Sequence, residues 1–363
     1  GDDVLYISAS GATLTVSNAE SIIGSDVADV ITLGSSGNGV SIDLGAGNDR
    51  VILGAFNNTL TLTNVESISG NVSSDVVTLA TAVTSGLISL GEGTDMLTLA
   101  DGGNTLTIDQ IETIAGGSGD DLVTIKNAAT KTFIDLGGGY DQLSLGVGSN
   151  SLTIAHVESV TGNSGTDIIV LGAATTDLSI DLFGGNDALT LADGGNTVSV
   201  ANVETITGAS GDDLVVLASA VTGATIDLKD GVDTLELANA GGTLTVLNVE
   251  TIVGDSGNEV ITLGNVASGL TIDLGSGIDM LTLANQVNTV TATGVETIYG
   301  GNSADLVTLA GTYTGGYVDL GKGSDTLLLD ADGSTITAVG IESVVGSDSD
   351  DMLTLSGSVS GGY

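Results

Sequence analysis

The sequence contains no cysteine, no proline and no tryptophan, one histidine, and only five lysine and arginine residues among 363. Without cysteine, disulfides cannot stabilise the chain; this agrees with a secreted protein that relies on something else and by itself fixes no compartment. Without proline, the chain suits a fold made almost wholly of hydrogen-bonded strand and tight glycine turn, because proline withholds a ladder donor and is kept out of sheet interiors. Basic residues are scarce against 46 Asp and Glu, and the net charge is −41, so nucleic acid and anionic membrane surfaces are partners of the wrong sign. No apolar run reaches about 18 residues, so neither a transmembrane helix nor membrane insertion is expected.

What is plentiful is glycine, with 56 residues, and hydrophobic residues, at 41%. Disordered chains couple high charge to low hydrophobicity, so this one is expected to fold while carrying a heavy electrostatic load. Cations have the sign needed to relieve it.

One period organises the chain. Asp3, Asp49, Asp95, Asp141, Asp187, Asp233, Asp279 and Asp325 stand 46 residues apart, as do Asp29, Asp75, Asp121, Asp167, Asp213, Glu259, Asp305 and Asp351. The glutamates of VES, VET and their variants follow the same step at Glu20, Glu66, Glu112, Glu158, Glu204, Glu250, Glu296 and Glu342. Three ladders without slippage mean eight copies of one unit, the signature of a solenoid, propeller or array. We therefore expect residues 1–363 to form one continuous all-β domain, a parallel β-solenoid (β-roll or β-helix) of eight 46-residue repeats with two turns each.

Each unit divides into two related halves that read loop, strand, loop, strand, and the longer half adds a corner and a short third strand at VETITG. Alternation sets the strand faces: Leu143 and Leu145 point one way in DQLSL while Gln142 and Ser144 point the other. Two residues before each VES or VET glutamate stand Asn18, Asn64, Gln110, His156, Asn202, Asn248, Gly294 and Gly340. These types tolerate positive φ, which predicts a left-handed corner and makes the only histidine a corner residue.

The loops carry the candidate chemistry. GGSGDDLVT at Gly116–Thr124 fits the nonapeptide G-G-x-G-x-D-x-U-x, and G-x-G-x-D recurs at GAGND (45–49), GEGTD (91–95), GGGYD (137–141), GSGID (275–279) and GKGSD (321–325). Calcium takes six to eight oxygen ligands, glycine lets the backbone curl, and aspartates stacked at about 4.8 Å repel unless a cation separates them. A second acidic ladder, Asp43, Asp135, Asp181, Asp227, Asp273 and Asp319, precedes the loops and either adds ligands or faces solvent. The alternative for all of these is that Asp and Gly are simply good turn formers.

The loops resemble those of RTX, or hemolysin-type calcium-binding, repeat proteins. The resemblance implies a parallel β-roll with calcium between loops of successive turns, held by glycine carbonyls and aspartate carboxylates. It assigns metal-binding roles to Gly117, Gly119 and Asp121, to Gly137, Gly139 and Asp141, and to Asp49, Asp95, Asp167, Asp187, Asp213, Asp233, Asp279, Asp305 and Asp325. It also implies export from a Gram-negative bacterium by a type I route. This chain departs from the family pattern in giving each loop its own turn rather than running nonapeptides in tandem, and in placing Glu259 where the ladder has aspartate.

Enzymatic readings fare poorly. Gly254-Asp255-Ser256-Gly257 looks like the surroundings of a protease nucleophile, but the only histidine lies far away along the chain. A polysaccharide lyase or epimerase on a β-helix would want a basic and aromatic cluster, and the chain has one arginine, Arg50, and nine scattered aromatics. No enzyme is expected. Thr-x-Thr motifs such as NTLTL (58–62) and GTLTV (242–246) suggest a surface that binds ice or glycans, with aspartates expected to break the array at alternate turns. The series Val30, Val76, Leu122, Ile168, Leu214, Val260, Leu306 and Met352 forms either an outward apolar column that faces a neighbouring molecule, giving lateral self-association, or a corner turned back into the core. The chain opens in mid-pattern and stops at Tyr363 without a polar cap, so either end-to-end self-association or a longer repetitive protein is expected. These features predict a calcium-binding structural protein of the extracellular space or bacterial cell surface, in a surface layer, filament or adhesin stalk.

Overall fold

The structure, a computed structural model, describes residues 3–8, 10–329 and 333–356. Among them every element is a strand, numbered here β1 to β39 in chain order. The first nine are β1 (Val4–Tyr6), β2 (Thr13–Val16), β3 (Ser21–Ser25), β4 (Val30–Leu33), β5 (Asn38–Gly45), β6 (Arg50–Ile52), β7 (Thr59–Thr63), β8 (Ser67–Asn71) and β9 (Val76–Leu79). Contacts divide the chain into two compact units, Gly1–Ala173 with Leu178–Gly185, and Ala174–Asp177 with Asn186–Tyr363. Each is a parallel β-solenoid in which odd-numbered strands form one sheet and even-numbered strands the other, as β1–β3–β5–β7–β9 and β2–β4–β6–β8 illustrate.

The core follows from alternation and register. Val40, Leu60, Val77, Leu97, Ile114, Ile134 and Ile154 pair in turn across the odd sheet of the first unit, and all are buried. Ile206, Ile226, Val246 and Leu263 form the same kind of column in the second. Each such side chain contributes about 1.5–3 kcal/mol on burial. Thr and Ser dominate the outward positions.

Successive turns advance by 17 residues (Thr13 to Val30, Arg50 to Ser67) or 20 residues (Val30 to Arg50), with a bulge at some turns, as between Asn38 and Val40. Each 46-residue repeat contributes five strands, β4 to β8 for example, and so winds through two and a half turns rather than two. The short third strand anticipated at VETITG is the one that adds the half turn. Equivalent residues of neighbouring repeats therefore lie on opposite sheets: β4 follows Asp29 in the even sheet, and β9 follows Asp75 in the odd.

This winding settles two surface expectations. Val76, Leu122 and Ile168 do point outward, at 38%, 38% and 43% exposure, but they form no apolar column. Val76 sits between Thr59 and Met96, and Leu122 between Thr105 and Gln142. Aspartate does interrupt some threonine rows, Asp181 pairing with Thr161 and Asp227 with Thr207, while others run on unbroken. Thr205, Thr225, Thr245, Thr262 and Thr282 pair consecutively on one sheet of the second unit, and Thr234, Thr251, Thr271, Thr291 and Thr308 on the other. Asp227 lies two residues beyond Thr225, in the adjacent row.

All eight predicted corners adopt positive φ, from 51° at His156 to 62° at Gly294. A short polar side chain at this position reaches the preceding turn: Asn64 Nδ2 donates to Asp43 Oδ1 (2.8 Å), Asn248 Nδ2 donates to Asp227 Oδ1 (2.6 Å), and His156 Nδ1 lies 2.7 Å from Asp135 Oδ1. These acceptors belong to the second acidic ladder. Asp43, Asp135, Asp181, Asp273 and Asp319 also accept the N–H two residues on, so the ladder closes the strand-end turn.

Candidate functional site

The loop acids converge on the solenoid corners, and they point inward. Asp29, Asp49, Asp75, Asp95, Asp121, Asp141, Asp167, Asp187, Asp213, Asp233, Glu259, Asp279, Asp305 and Asp325 are all buried. They belong to chains of three hydrogen bonds through four residues, each climbing one corner with one step per turn. The backbone N–H of Asn104 donates to Asp121 Oδ1 (2.7 Å), that of Asp121 to Asp141 Oδ1 (2.7 Å), and that of Asp141 to Glu158 Oε2 (2.7 Å). The same chain runs through Asn58, Asp75, Asp95 and Glu112 at the opposite corner. In the second unit it runs through Asn196, Asp213, Asp233 and Glu250, and through Asn288, Asp305, Asp325 and Glu342.

This chain explains the motif residues locally. At a corner the backbone N–H leaves the sheet ladder, and a carboxylate from the next turn supplies the missing acceptor. The second glycine of G-x-G-x-D leaves room for that carboxylate: a Cβ on Gly93 would sit 3.1 Å from Asp95 Oδ1 and 2.9 Å from the Ser73 carbonyl. Gly139 has φ of 142°, in the region glycine favours, and a Cβ there would meet the Gly119 backbone at 2.7 Å. Gly117 and Gly137 are register partners, and the Gly117 carbonyl accepts the Gly138 N–H.

The asparagine ladder is the part that motif reading does not single out. Asn58, Asn104, Asn150, Asn196 and Asn288 are buried, and their signal stands in the sequence as the first letter of NTLTL and NTLTI. Asn104 Oδ1 accepts the Val83 N–H (3.0 Å), while Nδ2 donates to Asp121 Oδ1 and to the Ala100 and Gly102 carbonyls. Each amide is thus saturated, and it tethers three turns.

The carboxylates are not saturated. Oδ2 of Asp49, Asp75, Asp95, Asp121, Asp141, Asp213, Asp233, Asp279, Asp305 and Asp325 is buried without a hydrogen-bond partner, as are both oxygens of Glu259. Burial, with the neighbouring carboxylates adding to it, pushes Asp95, Asp141 and Asp233 up to about 6 against the pull of one backbone N–H each. Asp49, Asp75 and Asp325 are raised in the same direction, by burial first. Glu259 is pushed furthest, to about 7, by burial and then by the facing Asp279 carboxyl. Its repeat has Gly242 in place of the ladder asparagine, so no amide reaches this acid.

No basic side chain answers these charges. Among the described residues the ion pairs are Lys126–Asp109 (3.8 Å), His156–Asp135 and Lys229–Asp227, none at a buried corner acid. Arg50 donates to Ser69 Oγ. Among the described residues no three acidic, histidine or cysteine side chains converge as a metal cage. The donor set is instead oxygen only, two carboxylates from successive turns with one free oxygen each, beside backbone carbonyls. That chemistry fits a hard cation such as calcium and does not fit a soft metal. No protein-family model and no curated protein matches the chain.

Proposed function

We propose that this chain is a secreted, calcium-stabilised structural repeat protein of the bacterial cell surface, a component of a surface layer, filament or adhesin stalk that self-associates end to end. The observation that carries this reading is the stacked pair of buried carboxylates, repeated along the corners, with an oxygen free on both acids of pairs such as Asp121–Asp141 and no basic side chain nearby. An unsatisfied buried charge needs a proton or an ion, and calcium at extracellular concentration supplies the ion. Asp49, Asp95, Asp121, Asp141, Asp213, Asp233, Asp279, Asp305 and Asp325 would hold it. The RTX likeness of the loops points the same way, and the role is one of support rather than catalysis. Circular dichroism and negative-stain electron microscopy of chelator-treated protein during a calcium titration, with magnesium as control, test the reading. Calcium-specific gain of β-structure and appearance of fibres support it; a fully folded, dispersed protein unaffected by calcium contradicts it.

A second reading, recognition of ice or glycans, is favoured by the in-register threonine rows. Replacing Thr225, Thr245 and Thr262 with aspartate abolishes adsorption to ice or to an insoluble polysaccharide if that reading holds, and the wild-type protein fails to adsorb to either if it does not.

A further inference from the structure

We infer that the residue four positions before the first acid of each repeat decides which corners take a cation, and that the stacked pairs Asp75–Asp95, Asp121–Asp141, Asp213–Asp233 and Asp305–Asp325 are the ones that do. The inference rests on the cation reading above and assigns its sites.

The repeats differ at this position while the acids hardly vary. It is Ser25 before Asp29 and Ser347 before Asp351, and there the protein supplies its own donors. Ser25 gives Asp29 Oδ2 its backbone N–H (3.0 Å) and its hydroxyl (3.1 Å), and Ser347 does the same for Asp351 Oδ2 (2.9 and 3.0 Å). The N–H groups of Ser334 and Ser347 hold Asp351 below the usual carboxylate range. Asn163 similarly donates Nδ2 to Asp167 Oδ2 (3.3 Å).

At Gly117, Ala209 and Gly301 no side-chain donor exists. Asp121, Asp213 and Asp305, at 1%, 1% and 2% exposure, keep Oδ2 unpartnered, and so do Asp141, Asp233 and Asp325 one turn on. The two acids of each pair are joined by a single N–H···Oδ1 bond of 2.7–2.8 Å, which sets both carboxyls in one corner. Asn71 behaves like these three, because its amide is spent on the Gly54 carbonyl (2.5 Å) and Asp75 Oδ2 stays free. A water could satisfy such oxygens as a donor but would leave two negative charges together. A divalent cation satisfies both demands.

The test compares wild-type protein with Ala209→Ser and Ser25→Ala by equilibrium dialysis against calcium and elemental analysis of the bound metal. Ala209→Ser places a hydroxyl beside Asp213 as Ser25 does beside Asp29, and should bind one calcium fewer per chain. Ser25→Ala takes the hydroxyl from Asp29 Oδ2 and leaves it the single backbone N–H of residue 25, beside the free Asp49 Oδ2, and should bind one more. Wild-type protein without bound calcium at millimolar concentration overturns the cation reading and this inference with it. Calcium bound equally by all three proteins leaves the cation reading standing and overturns the inference alone. Should Ala209→Ser fail to fold by circular dichroism, the opposite-signed change in Ser25→Ala decides the matter.

Discussion

At each corner a backbone N–H that has left the sheet ladder is given to a carboxylate from the next turn, and the buried asparagine below it completes the tether. Replacing Asn196 with alanine removes Nδ2 donors to Asp213 and to the Ala192 and Gly194 carbonyls and strips the Thr175 N–H of its acceptor. Several buried groups lose partners at once, so the variant should lose about 2–4 kcal/mol of unfolding free energy, measured by denaturant titration in saturating calcium. A loss below about 0.5 kcal/mol would mean that the amide is ornamental.

Glu259 makes the complementary case. Its carboxyl is raised to about 7, so in chelator its contribution to folding is complete below the ordinary value of 4.5 and fades as pH rises through about 7. Glu259→Gln should therefore melt higher than wild type at pH 8 in chelator and nearly with it at pH 5. Equal melting at both values would show that this acid is not strained by its charge. The acid positions and the left-handed corners were legible in the sequence, because spacing and residue type report them directly. The inward aim of the acids was not, since alternation assigns faces only within strands, and the saturated asparagine escaped notice because Asn before Thr-x-Thr reads equally well as a turn.

Among elements, the five-strand count per repeat could be read from the third strand at VETITG, but its consequence could not. An odd number of strands swaps the sheet on which each repeat begins, and the hydrogen-bond chain swaps corners with it. Deleting residues 76–121 joins Asp75 to Leu122 and rebuilds a repeat junction, so this 46-residue deletion should fold with a native-like melting transition. Deleting residues 76–112 removes a 20-residue and a 17-residue turn and keeps every later strand on its own sheet. Asp95, the acceptor for the Asp75 N–H, goes in both deletions, but the longer one sets Asp141 in its place 20 residues after Asp75, whereas the shorter one sets Thr132 there. That shorter deletion should be the more damaging one, by several degrees in melting temperature; the reverse order would mean that sheet identity, not the corner chain, governs stability. The threonine rows are legible only in part for a related reason: which residues stack depends on turn length, and the 17- and 20-residue advances bring Thr225 under Thr245 while placing Asp227 one row aside, beside Thr207.

For the whole molecule the net charge of −41 matters less than where the acids lie. Exposed charges are screened within about 8–10 Å at ordinary ionic strength, whereas the buried corner pairs are screened far less, so sodium chloride should be a poor substitute for calcium. The most direct measurement is thermal unfolding in chelator at pH 5 and pH 8, repeated with millimolar calcium. Acids whose folded values are raised stabilise the fold while protonated and lose that contribution as pH rises through about 6 to 7. The metal-free protein should therefore melt distinctly lower at pH 8 than at pH 5, and calcium should restore the difference at pH 8 while doing little at pH 5. A metal-free protein that melts equally at both pH values and ignores calcium would contradict the claim that the buried corner carboxylates await a cation.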